Sequence, residues 1–463
     1  MDISIAFKFN GWWYKVVVKI LNGDCREMLK TLPDRSIHCC VTSPPYYGLR
    51  SYCSEGSEEK ELEIGLEQSP EEYVQNLVEV FREVKRVLRD DGTLWLNLGD
   101  SYSGSWKGQY KDGEHDPKKK KTDGMKLESC VIPNGLKNKD LIGIPWRVAF
   151  ALQADGWYLR QDIIWQKNNP MPEGVKDRCT KSHEYIFLLT KSPKYFFDSD
   201  AIKEPAAYDG RKDTMMKGSA KYKTSVVPDK KEHTMAANGH ERWKYDETGL
   251  PVRNKRSVWQ INTKPYKGAH FATFNLDLID TCLKAGTSEK GVCSKCGSPF
   301  IRIVEKETIW RDRPNSFCSY RDVNGQPDQR KQGLTIKTIG WKPSCSCDEV
   351  ETVPAVVLDP FGGSGTVGQW CNLNGRDAIL IELNPEYIPL IEERINTVPK
   401  PSKKKVTECI EEDFEAEEEI NIEDLEKAMN PEEQDSYYNL LFGVPFEYFE
   451  MVRKAYWAEK GVV

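Results

Sequence analysis

No stretch of the 463 residues stays apolar long enough to cross a bilayer, so a membrane-spanning helix is not expected. The opening residues, MDISIAFKFNGWWYK, lack the charged start, clean apolar segment and small-residue cleavage site of a signal peptide. A cytoplasmic setting is therefore expected, and the 14 cysteines read as mostly reduced thiols rather than a disulfide framework. No repeat recurs at a solenoid period, which leaves one large domain with insertions or a small second unit. Even the net charge of −6 is uneven: residues 401–463 carry 7 Lys/Arg against 17 Asp/Glu, a net of −10, so residues 1–400 are about +4. Such a body permits a nucleic-acid partner without demanding one.

What is present alternates. VVVKILNGD (16–24) reads as a strand, and SIHCCVTSPPY as a second strand running into a loop. SPEEYVQNLVEVFREVKRVLRDDG reads as a helix, with Ser69, Pro70 and Glu72 at capping positions and Tyr73, Leu77, Phe81, Val84 and Leu88 on one face; Gly92 is expected to end it. TLWLNLGDSY, WYLRQDIIWQK and HEYIFLLTKS read as strands, PWRVAFALQADG as a helix, and AHFATFNLDLIDTCLKAG as a loop entering a helix. Strands alternating with helices indicate an α/β domain with a largely parallel sheet. Three stretches break the rhythm. Residues 103–140, with DPKKKKTDG, look like a long exposed loop; residues 205–257 hold 12 Lys/Arg against 7 Asp/Glu with Tyr222, Trp243 and Tyr245 among them; residues 288–351 contain a cysteine set.

VVLDPFGGSGTVG is an apolar strand, then glycines, then a helix. Gly363, Gly365 and Gly368 fit GxGxxG, which alone is a weak dinucleotide signal; a tight turn without a ligand is the plainer, less favoured reading. Asp359 at the strand end suits an ammonium group, Phe361 an adenine face, and Glu382, ending the next strand, both hydroxyls of a ribose. Those features favour S-adenosylmethionine over NAD, although the turn alone does not decide. SPPY is also weak alone, since proline pairs mark loops. As a pocket it has a chemical use. An exocyclic amine on a base has its lone pair delocalised into the ring; acceptors aimed at its hydrogens push the nitrogen toward sp³ and free the pair for attack on a sulfonium methyl. The Ser43 hydroxyl and Pro44 carbonyl could be those acceptors, and Tyr46 could stack on a base taken out of the duplex.

Taken together, these blocks resemble a DNA amino-methyltransferase of the permuted beta group, in which the catalytic half precedes the cofactor half. LNGDCREMLKTLPDRSIHCCVTSPPYYGLR, GTLWLNLGDSY, the run from IPWRVAFALQ to SPKYFFD, HFATFNLDLI and LDPFGGSGTVG follow the family's order over most of residues 16–397. The resemblance implies a Rossmann-like methyltransferase fold with circularly permuted motifs, double-stranded DNA as partner and a prokaryotic or viral context. It matches Ser43, Pro44, Pro45 and Tyr46 to the catalytic tetrad, and Asp359, Phe361, Gly363 and Gly365 to the cofactor motif. Glu382 matches the ribose acid, Asp24 an acid near the adenine, and His270, Phe271 and Phe274 the block closing over the methionine end. Asn275 stands where the family usually has proline, and the first fifteen residues and everything after about 400 depart from it. Ser in the tetrad's first position resembles the cytosine-N4 enzymes, with adenine N6 as the alternative. Cytosine-C5 methylation is set aside, because it needs a cysteine nucleophile and this loop has none; Cys39 and Cys40 lie inside the strand and are expected to pack as small apolar residues.

GVCSKCG (Cys293, Cys296) and KPSCSCD (Cys345, Cys347) pair CxxC with CxC. Four thiolates can close a tetrahedral zinc site, structural because no position is left open; independent thiols are the alternative, and Cys318 is a poorer ligand. Residues 298–343 hold 9 Lys/Arg to 5 Asp/Glu, so this knob could touch DNA. The expected organisation is a catalytic half (16–204), a target-recognition segment (205–257) and a cofactor half (258–287 and 352–397), with the zinc insertion (288–351) and an acidic extension (398–463). Arg211, Arg242 and Arg253 are candidates for reading guanine edges, and the lysines at 118–121 for phosphate affinity; solvated loops are the plainer reading. The aromatic tail end could dock on the body or a partner. A cognate restriction endonuclease could accompany the chain. From another class comes a catalytically silent DNA-binding specificity module.

Overall fold

β-branched and aromatic residues in short runs, each closed by a polar or glycine-bearing turn, dictate most of this molecule's strands. The computed structural model describes residues 2–9, 12–54, 56–104, 135–206, 243–246, 248, 250–263, 274–311, 330–348 and 350–397. The chain divides into two units, Met1–Asn396 and Thr397–Val463, and every described helix and strand belongs to the first. The acidic extension, the lysines at 118–121, Arg211, Arg242, Tyr222, Cys318, His270 and Phe271 lie outside the described residues.

The first strands are β1 (Asp2–Phe9), β2 (Trp12–Asn22), β3 (Ile37–Thr42), β4 (Leu88–Leu98), β5 (Tyr158–Gln166) and β6 (His183–Thr190). Short strands β7 (Glu204–Pro205), β8 (Trp243–Tyr245), β9 (Pro251–Arg253), β10 (Val258–Gln260) and β11 (Val292–Cys293) follow. A long hairpin, β12 (Phe300–Arg311) and β13 (Arg330–Pro343), precedes β14 (Thr352–Val353), β15 (Val356–Asp359) and β16 (Asp377–Glu382). The helices are α1 (Cys25–Lys30), α2 (Pro70–Val87), α3 (Ile144–Ala154), α4 (Leu276–Gly286), α5 (Thr366–Leu373) and α6 (Ile388–Ile395).

Nine strands form the central sheet in the order β1-β2-β16-β15-β3-β4-β6-β5-β10. Neighbours from β2 to β4 run parallel, as do β5 and β10, whereas β6 runs against both β4 and β5. This is the expected Rossmann-like, largely parallel sheet. Helices cover both faces, so the central strands are apolar on both sides. Cys40, Leu94, Leu96 and Leu98 turn toward α1, α2 and α3, while Cys39, Val41 and Trp95 turn toward α4, α5 and α6. Both strand cysteines are fully buried, and burial pushes the Cys39 thiol up to about 12, so it packs as an inert apolar group.

Local chemistry explains α2. Ser69 accepts from the Glu72 amide while the Glu72 side chain accepts from the Ser69 amide, and Tyr73, Leu77, Phe81 and Val84 are all completely buried. The expected end at Gly92 is not where the helix stops. It stops at Val87, and Gly92 lies within β4, where a Cβ would sit 2.7 Å from Leu88 Cγ and 3.0 Å from the His38 carbonyl. Gly92 thus permits close approach of β4 to β3 rather than capping α2. Asn275 caps α4 by accepting from the Asp277 amide at 3.0 Å, which accounts for a helix start without proline. The unmatched first residues supply β1, an antiparallel edge strand on β2.

Candidate active site

β3 and β15 are hydrogen-bonded neighbours running parallel, so the loops that leave their C-terminal ends emerge side by side. One loop begins with Ser43 and the other, after Asp359, holds the glycines. The Thr42 hydroxyl donates to Asp359 Oδ1 at 2.6 Å, joining residues 317 apart in the chain. Between the loops lies a cavity of about 590 Å³, lined by Asp24, Ser43, Pro44, Pro45, Tyr46, Phe274, Asp359, Phe361, Gly363 and Glu382 among others. Every described member of the expected catalytic and cofactor sets lines it except Gly365.

On the glycine side, Gly365 has φ +78 and starts α5, and a Cβ there would lie 2.8 Å from Ile391 Cγ2. Gly368 lets α5 pack on the sheet, since its Cβ would meet Leu380 Cδ1 at 2.8 Å. The Glu382 carboxylate accepts from the Gly363 amide at 2.7 Å and from the Asn384 amide at 2.9 Å. Burial pushes the Asp359 carboxyl up to about 7, opposed by the hydrogen bonds from Thr42 and the Phe361 amide, with the nearby Glu382 charge adding to the rise. Burial also raises Glu382 to about 7. Two buried carboxyls facing one cavity form a site suited to a cation and to hydroxyl donors. Asp24 lines the wall too, but its carboxylate is engaged: it caps α1 and pairs with Arg26 at 2.7 Å.

The SPPY side holds a polar network. Tyr73 donates to the Pro45 carbonyl at 2.8 Å, fixing the turn from behind. The Tyr46 hydroxyl donates to Glu184 Oε2 at 2.6 Å, a charge-assisted length. Burial and the adjacent Glu184 charge hold the Tyr46 phenol well above its ordinary range. Glu184 also pairs with Lys167, whose ammonium lies 4.5 Å from the Trp165 ring centroid. Asn97 donates to the Tyr185 carbonyl at 3.0 Å, which turns its own Oδ1 toward Ser43 Oγ at 3.4 Å and Tyr46 OH at 3.2 Å. With the Tyr46 proton on Glu184, the Ser43 proton goes to Asn97 Oδ1 or to the Tyr46 oxygen, each 3.4 Å away. The Ser43 lone pairs are then free as acceptors at the cavity wall.

Asn97, Lys167, Glu184 and Thr42 had no individual place in the sequence reading. Their signal was a polar residue inside an apolar strand: Asn in TLWLNL, Lys after IIWQ, Glu before YIFLL. Trp165 and Glu184 are direct cross-strand partners on β5 and β6. Gly99 was also missed; a Cβ there would come within 2.4 Å of Tyr46 Cε2, so this glycine is the floor under the ring.

The family model described as DNA methylase, that of the N6/N4 methyltransferases, matches residues 37–294 and 349–393. The chain belongs to this DNA methylase family. It is 38% identical to the Type II methyltransferase M.Cfr9I of Citrobacter freundii over 376 residues, covering 81% of this chain and 87% of that one. It is 39% identical to the Type II methyltransferase M.SmaI of Serratia marcescens over 377 residues, 81% of this chain and 90% of the other. A solved PvuII DNA methyltransferase (cytosine-N4-specific) is a more distant likeness, with TM-score 0.42 and 15% identity over 84% of this chain and 89% of that one.

The methylase match breaks between 294 and 349, a gap that holds Cys296, Cys345 and Cys347, while Cys293 lies at the end of the matched stretch. The four thiols of Cys293, Cys296, Cys345 and Cys347 are all within 4.8 Å of one another. A tetrahedral zinc with bonds of about 2.3 Å needs sulfurs roughly 3.8 Å apart, so the set fits that ion. The knuckle is bolted to the methylase core. The Val356 amide donates to His38 Nδ1 at 3.0 Å, so His38 Nε2 carries the proton and donates to the Gly297 carbonyl at 3.1 Å. Arg89 donates to the Cys296 carbonyl at 2.8 Å. Arg253, a candidate base reader, is paired with Glu204 at 2.8 Å. Among the described residues, no helix is long and apolar enough to cross a membrane.

Proposed function

We propose that this DNA methylase transfers a methyl group from S-adenosylmethionine to the exocyclic amine of a flipped base in double-stranded DNA, cytosine N4 first and adenine N6 as the alternative. The observation that carries this reading is the Ser43 oxygen, whose proton is taken by Asn97 or Tyr46 and which directly follows the strand paired with that of Asp359. When bound, S-adenosylmethionine supplies an electrophilic methyl on a sulfonium. Asp359 would hold its ammonium, Glu382 its ribose hydroxyls, and Phe361 and Phe274 its apolar surroundings. Ser43 Oγ and the Pro44 carbonyl would accept the amine hydrogens and free the nitrogen lone pair, while the Tyr46 ring holds the base plane. Cytosine is favoured by the tetrad's serine and by Lys167 in the cavity wall: a donor there suits a base with acceptors at N3 and O2, whereas adenine offers only N1 on that edge.

The cysteine set supports a structural zinc, held by Cys293, Cys296, Cys345 and Cys347, that takes no part in the transfer. A restriction endonuclease of matching specificity is the expected companion of such an enzyme. The test is incubation with unmethylated plasmid DNA and cofactor labelled in its methyl group, followed by nucleoside analysis. Labelled N4-methylcytosine is expected. Label only in N6-methyladenine would overturn the base; no transfer together with no cofactor binding by calorimetry would favour a silent DNA-binding module.

A further inference from the structure

The candidate recognition segment (205–257) and the cysteine insertion are separate in the sequence, yet strands from both share a sheet. Its order is β12-β13-β8-β9-β7. Gly333, Leu334 and Thr335 of the insertion pair in parallel with Trp243, Lys244 and Tyr245 of the basic, aromatic segment. Behind this junction the hairpin runs back to the cysteines, which sit on both of its stems: Cys293 and Cys296 before β12, Cys345 and Cys347 after β13. From Pro343 to Leu334 is nine residues, about 30 Å of strand. The stem end is fixed to the core by His38 and Arg89, and again by Arg302, which donates to the buried Asp198 at 2.8 Å and lies 4.4 Å from the Trp341 ring. His38 is at the start of β3, whereas Ser43 follows its other end. The knuckle is therefore placed away from the reacting base.

We propose that the four-cysteine knuckle is the remote foundation of the DNA-recognition sheet: zinc ties the two stems of the β12–β13 arm together, and the arm holds β8, β9 and β7 where they meet duplex DNA. The reading rests on DNA being the substrate. It replaces the expectation that the knob itself touches DNA. The methylase match omits this arm, so the role belongs to the insertion rather than to the family's common core.

The test uses the full chain. Metal analysis is expected to give one zinc per chain, released by a thiol-directed mercurial. Stripping zinc, or Cys345→Ser with Cys347→Ser, is expected to raise KM for plasmid DNA at least tenfold, with cofactor Kd by calorimetry changed less than twofold. A second variant, Leu334→Pro, breaks the β13–β8 ladder with the cysteines intact; it is expected to keep its zinc and show the same rise in KM. Hydrogen exchange gives a readout independent of DNA chemistry: metal removal should expose the amides of Trp243–Tyr245 while those of β2 and β16 stay protected. An unchanged KM after zinc loss overturns the proposal, as does unchanged exchange at β8. Equal loss of cofactor binding and DNA binding also overturns it, reducing the knuckle to a general stability element. If the untreated protein methylates no DNA but exchange at β8 responds to zinc, the substrate reading fails while the mechanical link stands.

Discussion

Gly99→Ala isolates the position of the Tyr46 ring from everything else in the pocket. The new Cβ would lie 2.4 Å from Tyr46 Cε2, 2.8 Å from Cδ2 and 3.2 Å from Cζ. Carbon atoms rest at roughly 3.5–4.0 Å, so the ring must retreat by about 1 Å. It cannot do so freely, because its hydroxyl is held by Glu184 at 2.6 Å. Either the ring tilts about that bond or the bond breaks. Overpacking of this kind costs about 1–3 kcal/mol, a fall in Tm of a few degrees at most. The effect on chemistry should be larger, since a shift of about 1 Å at a reacting centre can cost roughly 100-fold. The expected result is a kcat for methyl transfer lower by about that factor, with cofactor Kd unchanged because Gly99 does not line the cavity. Gly174→Ala is the control: a Cβ there meets nothing within 4 Å and should leave both values alone. Single-turnover transfer, calorimetry and thermal melts make the comparison. A Gly99→Ala enzyme with kcat within threefold of the parent would refute the argument that Tyr46 is held from below.

The remaining expectations concern charge. Asp359 and Glu382 are each raised to about 7 without a ligand, so folding retains protons the unfolded chain would release; stability from this source is full below about pH 4 and is lost as pH rises through about 7. A ligand ammonium favours the ionised Asp359, so cofactor affinity should rise about tenfold per unit toward pH 7 and level above it, with proton release seen by calorimetry in buffers of different ionisation heat; a flat profile between pH 5.5 and 8 would sink this. Thr42→Val removes the 2.6 Å hydrogen bond that favours the Asp359 carboxylate, so affinity at pH 7 should fall by about one order of magnitude and recover at higher pH. Glu184→Gln takes away a charged acceptor, worth roughly 1.5–3 kcal/mol, and should lower kcat about 10- to 100-fold. The single variant should also lower Tm, because it leaves the Lys167 ammonium unpaired; the double variant with Lys167→Met should regain part of that stability but not the kcat, and strict additivity of the Tm changes would show the pair uncoupled.

What the sequence made legible was local. The α2 capping box, the apolar stripe behind it and the glycine turn each depend on residues a few positions apart, and each appears where the spacing puts it, except that Leu88, read as the last residue of the stripe, begins β4 instead. Asn97, Glu184 and Lys167 escaped because their meaning depends on strand register. Only when β6 pairs antiparallel with β4 and β5 does Glu184 lie opposite Trp165 and within reach of Tyr46. Gly92 misled for the same reason: as a helix terminator it is a local signal, whereas its actual constraint is the His38 carbonyl on a neighbouring strand. The single sheet joining 243–253 with 330–335 was illegible altogether, since nothing in either segment names its partner.

The order of the motifs along the chain proves unimportant once the sheet is assembled, and the reason is mechanical. In a parallel sheet every strand delivers its C-terminal loop to the same edge, so neighbours in space need not be neighbours in sequence. Here the proposed amine-binding loop after β3 and the carboxylate-bearing loop after β15 are joined by a backbone ladder and by the Thr42–Asp359 hydrogen bond. That bond ties the two halves of the site at their closest approach. It stabilises the ionised form of Asp359, and it comes from the residue immediately before Ser43. Displacing β3 would therefore disturb the acceptor and the carboxylate together. A substitution at Thr42 should accordingly act on both cofactor affinity and transfer rate, although Thr42 itself is fully buried.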